Sequence, residues 1–357
     1  AQFNALLYRE FEKNHEICAF TFTCQYPKLL FPGQTQYVTE SDKADPISAI
    51  KVLNTINPLS YYRTFKRIAT FKPDLLFMTF WMPFFAPSLG YVAGKLRNKG
   101  TKIITVLHNV IPHEQRIGDR QLIRYVLKRN DGFVVMSKIV EHDLLQLQTG
   151  AQYVLKSHPN YNHFGNPVGF SEARKKLGIP TEKKVILFFG FIRRYKGLDN
   201  IIRAMSHLSD EYLLVVAGET YGDFSEYQKI IDETGTADKI KLYVRYINDD
   251  EVPLFFSAVD VAVLLYKSAT QSGIAQIAFH FNLPLIATNV GGLSEMINHN
   301  KTGLIAKSPN EQELALTIKY YFDNHLKTIF VEAISNKKDE YSWTAFADEI
   351  LQLYKKL

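Results

Sequence analysis

The sequence predicts an α/β protein built from two doubly wound, Rossmann-like domains with a cleft between them. Short apolar runs alternate with amphipathic helical stretches along the chain. These runs lack the polar alternation of half-exposed strands, which is typical of parallel strands covered by helices on both faces. Residues 158–170 are rich in Pro, Gly and Asn and separate two such series. We therefore expect a first domain over residues 1–160 and a second over 161–342.

The composition indicates a two-domain protein without disulfide bonds or a zinc site. The chain has 357 residues and 46% hydrophobic content, enough for two full cores. Its two cysteines, Cys18 and Cys24, cannot form a disulfide framework, and no Cys/His cluster has zinc-binding spacing. A reducing compartment is the expected setting, and the cytoplasm is the predicted location.

The first half predicts alternating helices and strands. An amphipathic helix at 1–13 carries Phe3, Leu7 and Phe11 on one side, and Ser137 caps a helix at 138–147. Further helices are expected at 61–71, 89–98 and 120–129, and strands at 16–23, 74–80, 102–108, 132–136 and 153–156. Because a doubly wound domain normally begins with a strand and this sequence begins within a helix, we expect the first strand of the domain to be missing here.

One uncharged stretch, residues 75–94, has the length of a membrane-spanning helix. However, Pro83 and Pro87 interrupt it, and proline is favoured at the first turn of a helix rather than inside one. The positions of the two prolines therefore favour a buried strand followed by a helix.

The second half repeats the same alternation. Strands are expected at 184–189, 212–217, 240–244, 261–266, 285–288 and 303–306. Helices are expected between these strands, including one at 198–208, and then at 312–323 and 343–355.

The junction after the strand at 184–189 carries the strongest functional signal. Gly190 ends the strand, and Arg193 or Arg194 together with Lys196 precedes the next helix. The start of a helix favours anions, so cations are disfavoured there unless an anion binds. Arginine offers a planar fork of donors and lysine a point charge, which together suit a diphosphate. We expect these residues to hold one.

Two later junctions face the same edge of the predicted sheet. Tyr266 ends a strand, and Gln271, Ser272 and Gly273 follow just before a helix. Ser272 and Gly273 are either phosphate-binding residues or a plain helix cap with an adjoining glycine. Further along the chain, Gly291, Gly292 and Glu295 either line the sugar or nucleotide or form an ordinary turn and helix start.

The first domain is basic, and one of its predicted strands ends at a histidine. Residues 1–157 carry 20 Lys and Arg against 12 Asp and Glu, whereas the whole chain has a net charge of +6. Arg116, Arg120, Arg124 and Lys128 recur every four residues, which indicates either a solvated helix face or contact with an anionic membrane surface. His108, followed by His113 and Glu114, is either a ligand contact or a packed core residue.

Two kinds of partner are not expected. The sequence contains no recognisable nucleic-acid-binding motif. It also lacks an Asp-x-Asp pair at a suitable strand end, so neither a metal nor another cofactor is predicted.

Together, three stretches resemble glycosyltransferase family 4, the glycosyl transferases group 1, which are retaining enzymes of the GT-B fold. They are Gly190 to Gly197, Asp249 to Val261, and Pro284 to Gly303. The resemblance implies a nucleotide-diphospho-sugar donor in the second domain and a saccharide or lipid-linked acceptor in the first. It implies that Arg193 and Lys196 stabilise the leaving diphosphate and that His108 reaches the donor sugar. It also implies that the helix at 343–357 packs back on the first domain.

The sequence departs from the family at one pair of positions. Family members carry two glutamates eight positions apart before the proline equivalent to Pro284, and here Ala269 and Ile277 occupy those positions. We expect an active enzyme with altered donor contacts. A sugar-nucleotide epimerase of the same fold and a non-catalytic copy that binds nucleotide or glycan remain alternatives.

Overall fold

The computed structural model describes residues 2–27, 47–112, 116–160, 164–220, 222–267 and 272–357. The chain forms two compact units. The first comprises Ala1–His158 together with Ser342–Leu357, and the second comprises Pro159–Tyr341.

Helices and strands alternate through the first unit. In chain order its elements are α1 (Gln2–Glu12), β1 (Ala19–Cys24), β2 (Ala49–Asn54), α2 (Pro58–Phe71), β3 (Leu75–Phe80), α3 (Ala86–Arg97), β4 (Lys102–Leu107), α4 (Asp119–Leu127), β5 (Gly132–Val135), α5 (Lys138–Leu147) and β6 (Tyr153–Leu155). The last helix of the chain, α14 (Trp343–Lys356), also belongs to this unit.

The described strands of the first unit form two separate parallel sheets. One contains β1 and β2, and the other has the order β3-β4-β5-β6. Strand β2 was not predicted. Its sequence AIKVLN is half-exposed and contains Lys51, so it lacks the continuous apolar run that identifies the other strands.

Side chains of β4 alternate between two cores. Ile103 and Leu107 pack in the core that contains residues of α2, α3 and α4. Ile104 and Val106 pack in a second core with residues of α1 and α14. Two layers of helices therefore cover the sheet that contains β4.

The uncharged stretch at residues 75–94 is a strand followed by a helix, as predicted. Strand β3 ends at Phe80, a short 3₁₀ turn spans Pro83–Phe85, and α3 follows. Phe80 and Phe85 are fully buried. None of the described helices is both long enough and apolar enough to cross a membrane.

The second unit contains one six-stranded parallel sheet. Its elements are α6 (Phe170–Lys176), β7 (Lys184–Phe189), α7 (Leu198–Met205), β8 (Tyr212–Ala217), α8 (Ser225–Thr234), β9 (Ile240–Tyr243), α9 (Val252–Ala258), β10 (Val261–Leu264), α10 (Gly273–His280), β11 (Leu285–Thr288), α11 (Leu293–Met296), β12 (Gly303–Ala306), α12 (Glu311–Asp323) and α13 (Leu326–Ser335).

The strand order of this sheet is β12-β11-β10-β7-β8-β9. Apolar clusters cover both faces of the sheet. The chain reverses its direction of winding between β7 and β10, which are neighbours in the sheet but distant in sequence. In open α/β sheets, ligands bind at the carboxyl ends of the strands at such a switch point. The loops that follow β7 and β10 therefore occupy the expected binding position.

Candidate functional site

The loop after β7 is held in a conformation that requires glycine. Gly190 has φ +91° and Gly197 has φ +72°, both in the left-handed region. A Cβ on Gly197 would lie 2.1 Å from the carbonyl oxygen of Leu265, just beyond β10. The loop therefore packs directly against the backbone that follows β10.

Lys196 is buried within this loop. Its side chain is 8% exposed, and its Nζ lies 3.3 Å from the position that a Cβ would occupy on Gly190. Burial, with a smaller contribution from Arg193, lowers the pKa of Lys196 to about 8. No carboxylate among the described residues offsets this charge. A buried cation without a partner indicates a site that is completed by an anion.

The amino terminus of α10 adjoins this cation. The same position on Gly190 lies 3.1 Å from Cδ1 of Ile274, in the first turn of α10. Ser272 caps the helix by accepting a hydrogen bond from the backbone N–H of Ala275 at 3.4 Å. The positive end of a helix and the Lys196 ammonium thus lie at one place, which favours an anion between them.

Tyr266 joins the two loops. Its hydroxyl lies 3.1 Å from Oγ of Ser272, and its ring centroid lies 5.7 Å from Nζ of Lys196. Burial raises the pKa of Tyr266 well above its usual range, so the phenol stays protonated. Tyr266 therefore serves as a neutral wall and hydrogen-bonding group.

The two arginines of the loop have different neighbours. Arg194 pairs with Glu226, with Nη2 and Oε2 2.9 Å apart, on the outside of the unit. Arg193 lies close enough to Lys196 to lower its pKa. The structure therefore favours Arg193 over Arg194 as the second cation of the site.

The third predicted segment lies at the same edge of the sheet. Thr288, at the end of β11, donates a hydrogen bond to the backbone oxygen of Tyr266 at 2.7 Å. Gly291 follows with φ +52°, Gly292 is buried, and Glu295 is exposed on the four-residue helix α11. Gln271, His113 and Glu114 lie outside the described residues.

His108 belongs to the first unit and follows β4 at the carboxyl edge of its sheet. Its ring packs edge-on against Phe3, with centroids 5.1 Å apart. Burial, with a smaller contribution from His158, lowers the pKa of His108 to about 4. The imidazole is therefore neutral near pH 7 and has one nitrogen that donates and one that accepts.

Sequence reasoning did not single out Gly218, which helps to build the site. A Cβ on Gly218 would lie 2.2 Å from the carbonyl oxygen of Gly190. The signal was present, because Gly218 directly follows the apolar strand β8 at the same edge of the sheet. Ile277, at one of the two positions where the family carries glutamate, is buried in the core.

Comparison with known proteins shows what the second unit is similar to. The profile of the glycosyl transferases group 1 family matches residues 169–338. The chain is 27% identical over 194 residues to the D-inositol 3-phosphate glycosyltransferase of Corynebacterium aurimucosum, covering 51% of this chain and 45% of that protein. It is also 27% identical over 237 residues to the putative glycosyltransferase YtcC of Bacillus subtilis, covering 61% and 57%. The chain spans about half the length of the curated relatives it matches.

Solved structures extend the likeness to most of the chain. The HepE protein of Anabaena, solved in complex with UDP, has a TM-score of 0.71 at 15% identity and covers 87% of this chain and 86% of that one. The sucrose-phosphate synthase of Thermosynechococcus elongatus has a TM-score of 0.68 at 19% identity and covers 88% and 86%. These likenesses show the fold, which is GT-B. Over residues 169–338, just under half of its length, the chain matches the glycosyl transferases group 1 family.

Proposed function

We propose that this protein is a retaining glycosyltransferase that moves a sugar from a nucleotide-diphospho-sugar to a saccharide or lipid-linked acceptor. The observation that carries the proposal is the buried ammonium of Lys196, which pairs with no carboxylate among the described residues and lies beside the amino terminus of α10. A diphosphate supplies the anion that this arrangement lacks. The family matched by residues 169–338 and the UDP bound in the HepE structure support a nucleotide-sugar donor.

In this proposal, Arg193 and Lys196 stabilise the leaving diphosphate. Breaking the glycosidic bond adds negative charge to the diphosphate, and fixed cations in a site shielded from water lower the barrier to that step. Ser272 and Gly273 bring backbone N–H groups towards the same phosphates, and Gly190, whose own N–H donates to Ala217, leaves space for them because it has no side chain. The donor phosphate takes the proton from the acceptor hydroxyl, so the reaction proceeds without a metal or a dedicated carboxylate base.

The remaining site residues have proposed roles around the sugar and nucleotide. His108 contacts the donor sugar as a neutral hydrogen-bonding group, since its pKa is about 4. Tyr266, Gly291, Gly292 and Glu295 line the nucleotide or sugar, and Gln271 takes over a donor contact that glutamate makes in the family.

The first unit is proposed to bind the acceptor. Its basic excess supports an enzyme of polysaccharide or glycolipid synthesis that works in the cytoplasm, at the inner face of the cell membrane. The domain boundaries near residues 160 and 342, with the helix at 343–357 packing back on the first domain, belong to the same proposal.

A non-catalytic nucleotide-binding copy is the second candidate. The observation that favours it is Ile277, a buried apolar residue where the family has glutamate. An epimerase of the same fold would instead convert the donor without any acceptor.

Binding and turnover test these possibilities in sequence. We would measure the affinity of UDP, GDP, ADP and their sugar conjugates without metal, using wild type, Lys196→Ala and Arg194→Ala. Arg194 is the matched control, because it lies in the same loop but pairs with Glu226. Losing a charge-assisted contact should weaken nucleotide binding at least tenfold in Lys196→Ala. Binding in Arg194→Ala should stay close to that of wild type.

Products formed with donor alone and with donor plus acceptor then separate the candidates. Transfer only in the presence of acceptor supports the glycosyltransferase, and conversion of the donor alone identifies an epimerase. Nucleotide binding without turnover identifies the non-catalytic copy. Equal nucleotide affinity in wild type and Lys196→Ala would overturn the assignment of the site.

A further inference from the structure

A second cationic site lies in the first unit, away from the carboxyl edge of its sheet. A cavity of about 470 Å³ lies between the carboxyl-terminal ends of α3 and α4. Side chains that line it include Tyr91, Lys95, Arg97, Tyr125, Lys128 and Arg129. Helix α3 leads into β4 and α4 leads into β5, so this cavity lies at the amino edge of the strands, opposite the edge that carries His108.

Positive charge in this cavity is only partly compensated. Arg97 pairs with Asp131, with Nε and Oδ1 2.8 Å apart, and also donates to the backbone oxygen of Lys128. Within the described parts of the chain, no carboxylate pairs with Lys95, Lys128 or Arg129. Each helix carboxyl terminus contributes roughly half a negative charge. The two termini therefore offset about one of the three cations.

One of these cations is fixed in place. The guanidinium of Arg129 lies 3.6 Å from the centroid of the Tyr125 ring and donates to the Tyr125 backbone oxygen at 2.7 Å. Gly90 and Gly94 of α3 leave the space for these side chains, since a Cβ on Gly90 would lie 2.4 Å from Tyr125 and one on Gly94 would lie 3.0 Å from Arg129. Because Arg129 is already ordered, binding an anion costs little side-chain entropy.

The surface around the cavity adds to its positive electrostatic potential. Residues 58–131 contain 13 Lys and Arg but 4 Asp and Glu. Lys95 and Lys128 line the cavity and are exposed, and Nζ of Lys95 lies 5.8 Å from the Tyr91 ring centroid. An anion that approaches this face meets an attractive field before it reaches the cavity.

We propose that this cavity binds the phosphate group of a lipid headgroup or of a soluble phosphate ester. Lysine and arginine together match a phosphate oxygen cluster. The cavity has the volume of a small-molecule site. It shares no residue with the proposed donor site, so either assignment can fail without the other.

Two binding measurements on the full chain test the proposal and separate the two sources of phosphate. The first is cosedimentation with phosphatidylcholine vesicles with and without phosphatidic acid. The second is calorimetric titration with glycerol 3-phosphate, repeated in Lys196→Ala so that the donor site does not contribute. Both compare wild type with Lys95→Gln/Lys128→Gln. The matched control is Lys66→Gln/Arg67→Gln, which removes two exposed cations from the neighbouring helix α2, outside the cavity.

Binding in at least one measurement should weaken about tenfold or more in Lys95→Gln/Lys128→Gln and less than about twofold in the control. A loss confined to the vesicles identifies a lipid headgroup, and a loss with glycerol 3-phosphate identifies a soluble ester. Both changes are at exposed positions, and an unchanged melting temperature establishes that the variant is folded. The proposal fails if neither probe binds, or if both double variants lose binding equally.

Discussion

At the scale of the residue, Lys196 best explains the candidate site. Burying a lysine that has no carboxylate partner in the described part of the chain costs free energy, and the pKa of Lys196 falls to about 8 as a result. A bound diphosphate reverses that cost, because it favours the charged ammonium. The residue therefore links the protonation of the site to the binding of its ligand.

This linkage predicts how nucleotide affinity depends on pH. Below pH 8, Lys196 is charged before and after binding, so affinity should be constant once the terminal phosphate has ionised near pH 6. Above pH 8, the free lysine is neutral and must take up a proton when the diphosphate binds. Affinity should then fall, approaching tenfold per pH unit.

Isothermal titration of wild type and Lys196→Arg across pH 8 checks this prediction. Arginine keeps its charge over that range, so the variant should show no such fall. A wild-type affinity that stays flat well above pH 8 would show that Lys196 does not contact the phosphates.

The choice between the two arginines shows what a residue's sequence neighbourhood cannot reveal. Arg193 and Arg194 are equivalent candidates in the sequence. Glu226 separates them by pairing with Arg194 from a helix 32 positions further along the chain. Sequence pattern identified the cationic motif, but only the packing of α8 beside the loop showed that Arg194 pairs with Glu226.

At the scale of the element, the site depends on how closely the loop after β7 approaches its neighbours. Gly197 lies just before α7 and has φ +72°, and Gly235 lies just after α8 and has φ +63°. They differ in their surroundings. A Cβ on Gly197 would meet the Leu265 backbone at 2.1 Å, whereas a Cβ on Gly235 would meet nothing within 4 Å.

Alanine at these two positions should therefore have different effects. Gly235→Ala should cost about 1 kcal/mol, from left-handed strain alone. Gly197→Ala should cost clearly more and should also weaken nucleotide binding, because a backbone carbonyl cannot move away as a side chain can. Melting temperature and nucleotide affinity measured on both variants check the prediction. Equal effects at the two positions would contradict it.

A buried ion pair ties α6 to the sheet of the second unit. Arg174 is 1% exposed, and its Nη2 lies 2.8 Å from Oδ2 of Asp260, which also accepts from the backbone N–H of Val185. Its other nitrogens donate to four backbone oxygens, including that of Ala258 at 2.9 Å. One side chain thus links α6 to the backbone of residues 180–183 and to the end of α9.

Arg174→Met should destabilise the second unit by about 1–3 kcal/mol, since it removes the buried partner of Asp260, which keeps its ion pair with Lys327, and the donor to four carbonyls. Lys176→Met, on the same helix, should change stability by less than about 0.5 kcal/mol, because Lys176 is exposed and pairs only with Glu172. Hydrogen exchange of the β7 and β10 amides in the full chain measures both. Similar exchange rates in the two variants would show that the buried pair contributes little.

The elements that sequence predicted best are those buried on both faces. Strands β7 and β8 are continuous apolar runs and were predicted with their observed bounds. Strand β2 was not predicted because it is half-exposed. Helix α13 was not predicted because only a left-handed turn at His325, with φ +51°, separates it from α12. Periodicity detects burial, but it does not detect a turn made by a residue that is not glycine.

At the scale of the whole molecule, charge is divided between the two halves of the chain. Residues 1–157 carry a net charge of +8, and the rest carries −2. The half that contains Lys196 therefore has a slightly negative net charge, and the site proposed there depends on Arg193, Lys196 and the amino terminus of α10. The basic half presents exposed cations around an open cavity.

Sequence alone predicted the unequal distribution of charge and the fold class. The first follows from composition and the second from the periodicity of apolar residues. The location of the second cationic site could not be predicted in the same way. The spacing of Arg116, Arg120, Arg124 and Lys128 pointed to a single helix face. In the structure, only Lys128 of that set lines the cavity, where it is joined by cations from α3 and by Arg129.

The different burial of the two proposed sites predicts different responses to salt. Exposed charges are screened within about 8 Å at physiological ionic strength, whereas buried charges are screened much less. Raising the concentration of sodium chloride should therefore weaken binding of phosphatidic acid vesicles steeply and binding of the nucleotide less steeply, because Lys196 is buried although Arg193 is exposed. The slope of the logarithm of affinity against the logarithm of salt concentration measures both responses on the same protein. Lys95→Gln/Lys128→Gln should flatten the vesicle slope and leave the nucleotide slope unchanged. Equal slopes for the two ligands in wild type would mean that both the nucleotide and the vesicles bind to exposed cations. Lys196 would then not be the cation that holds the diphosphate.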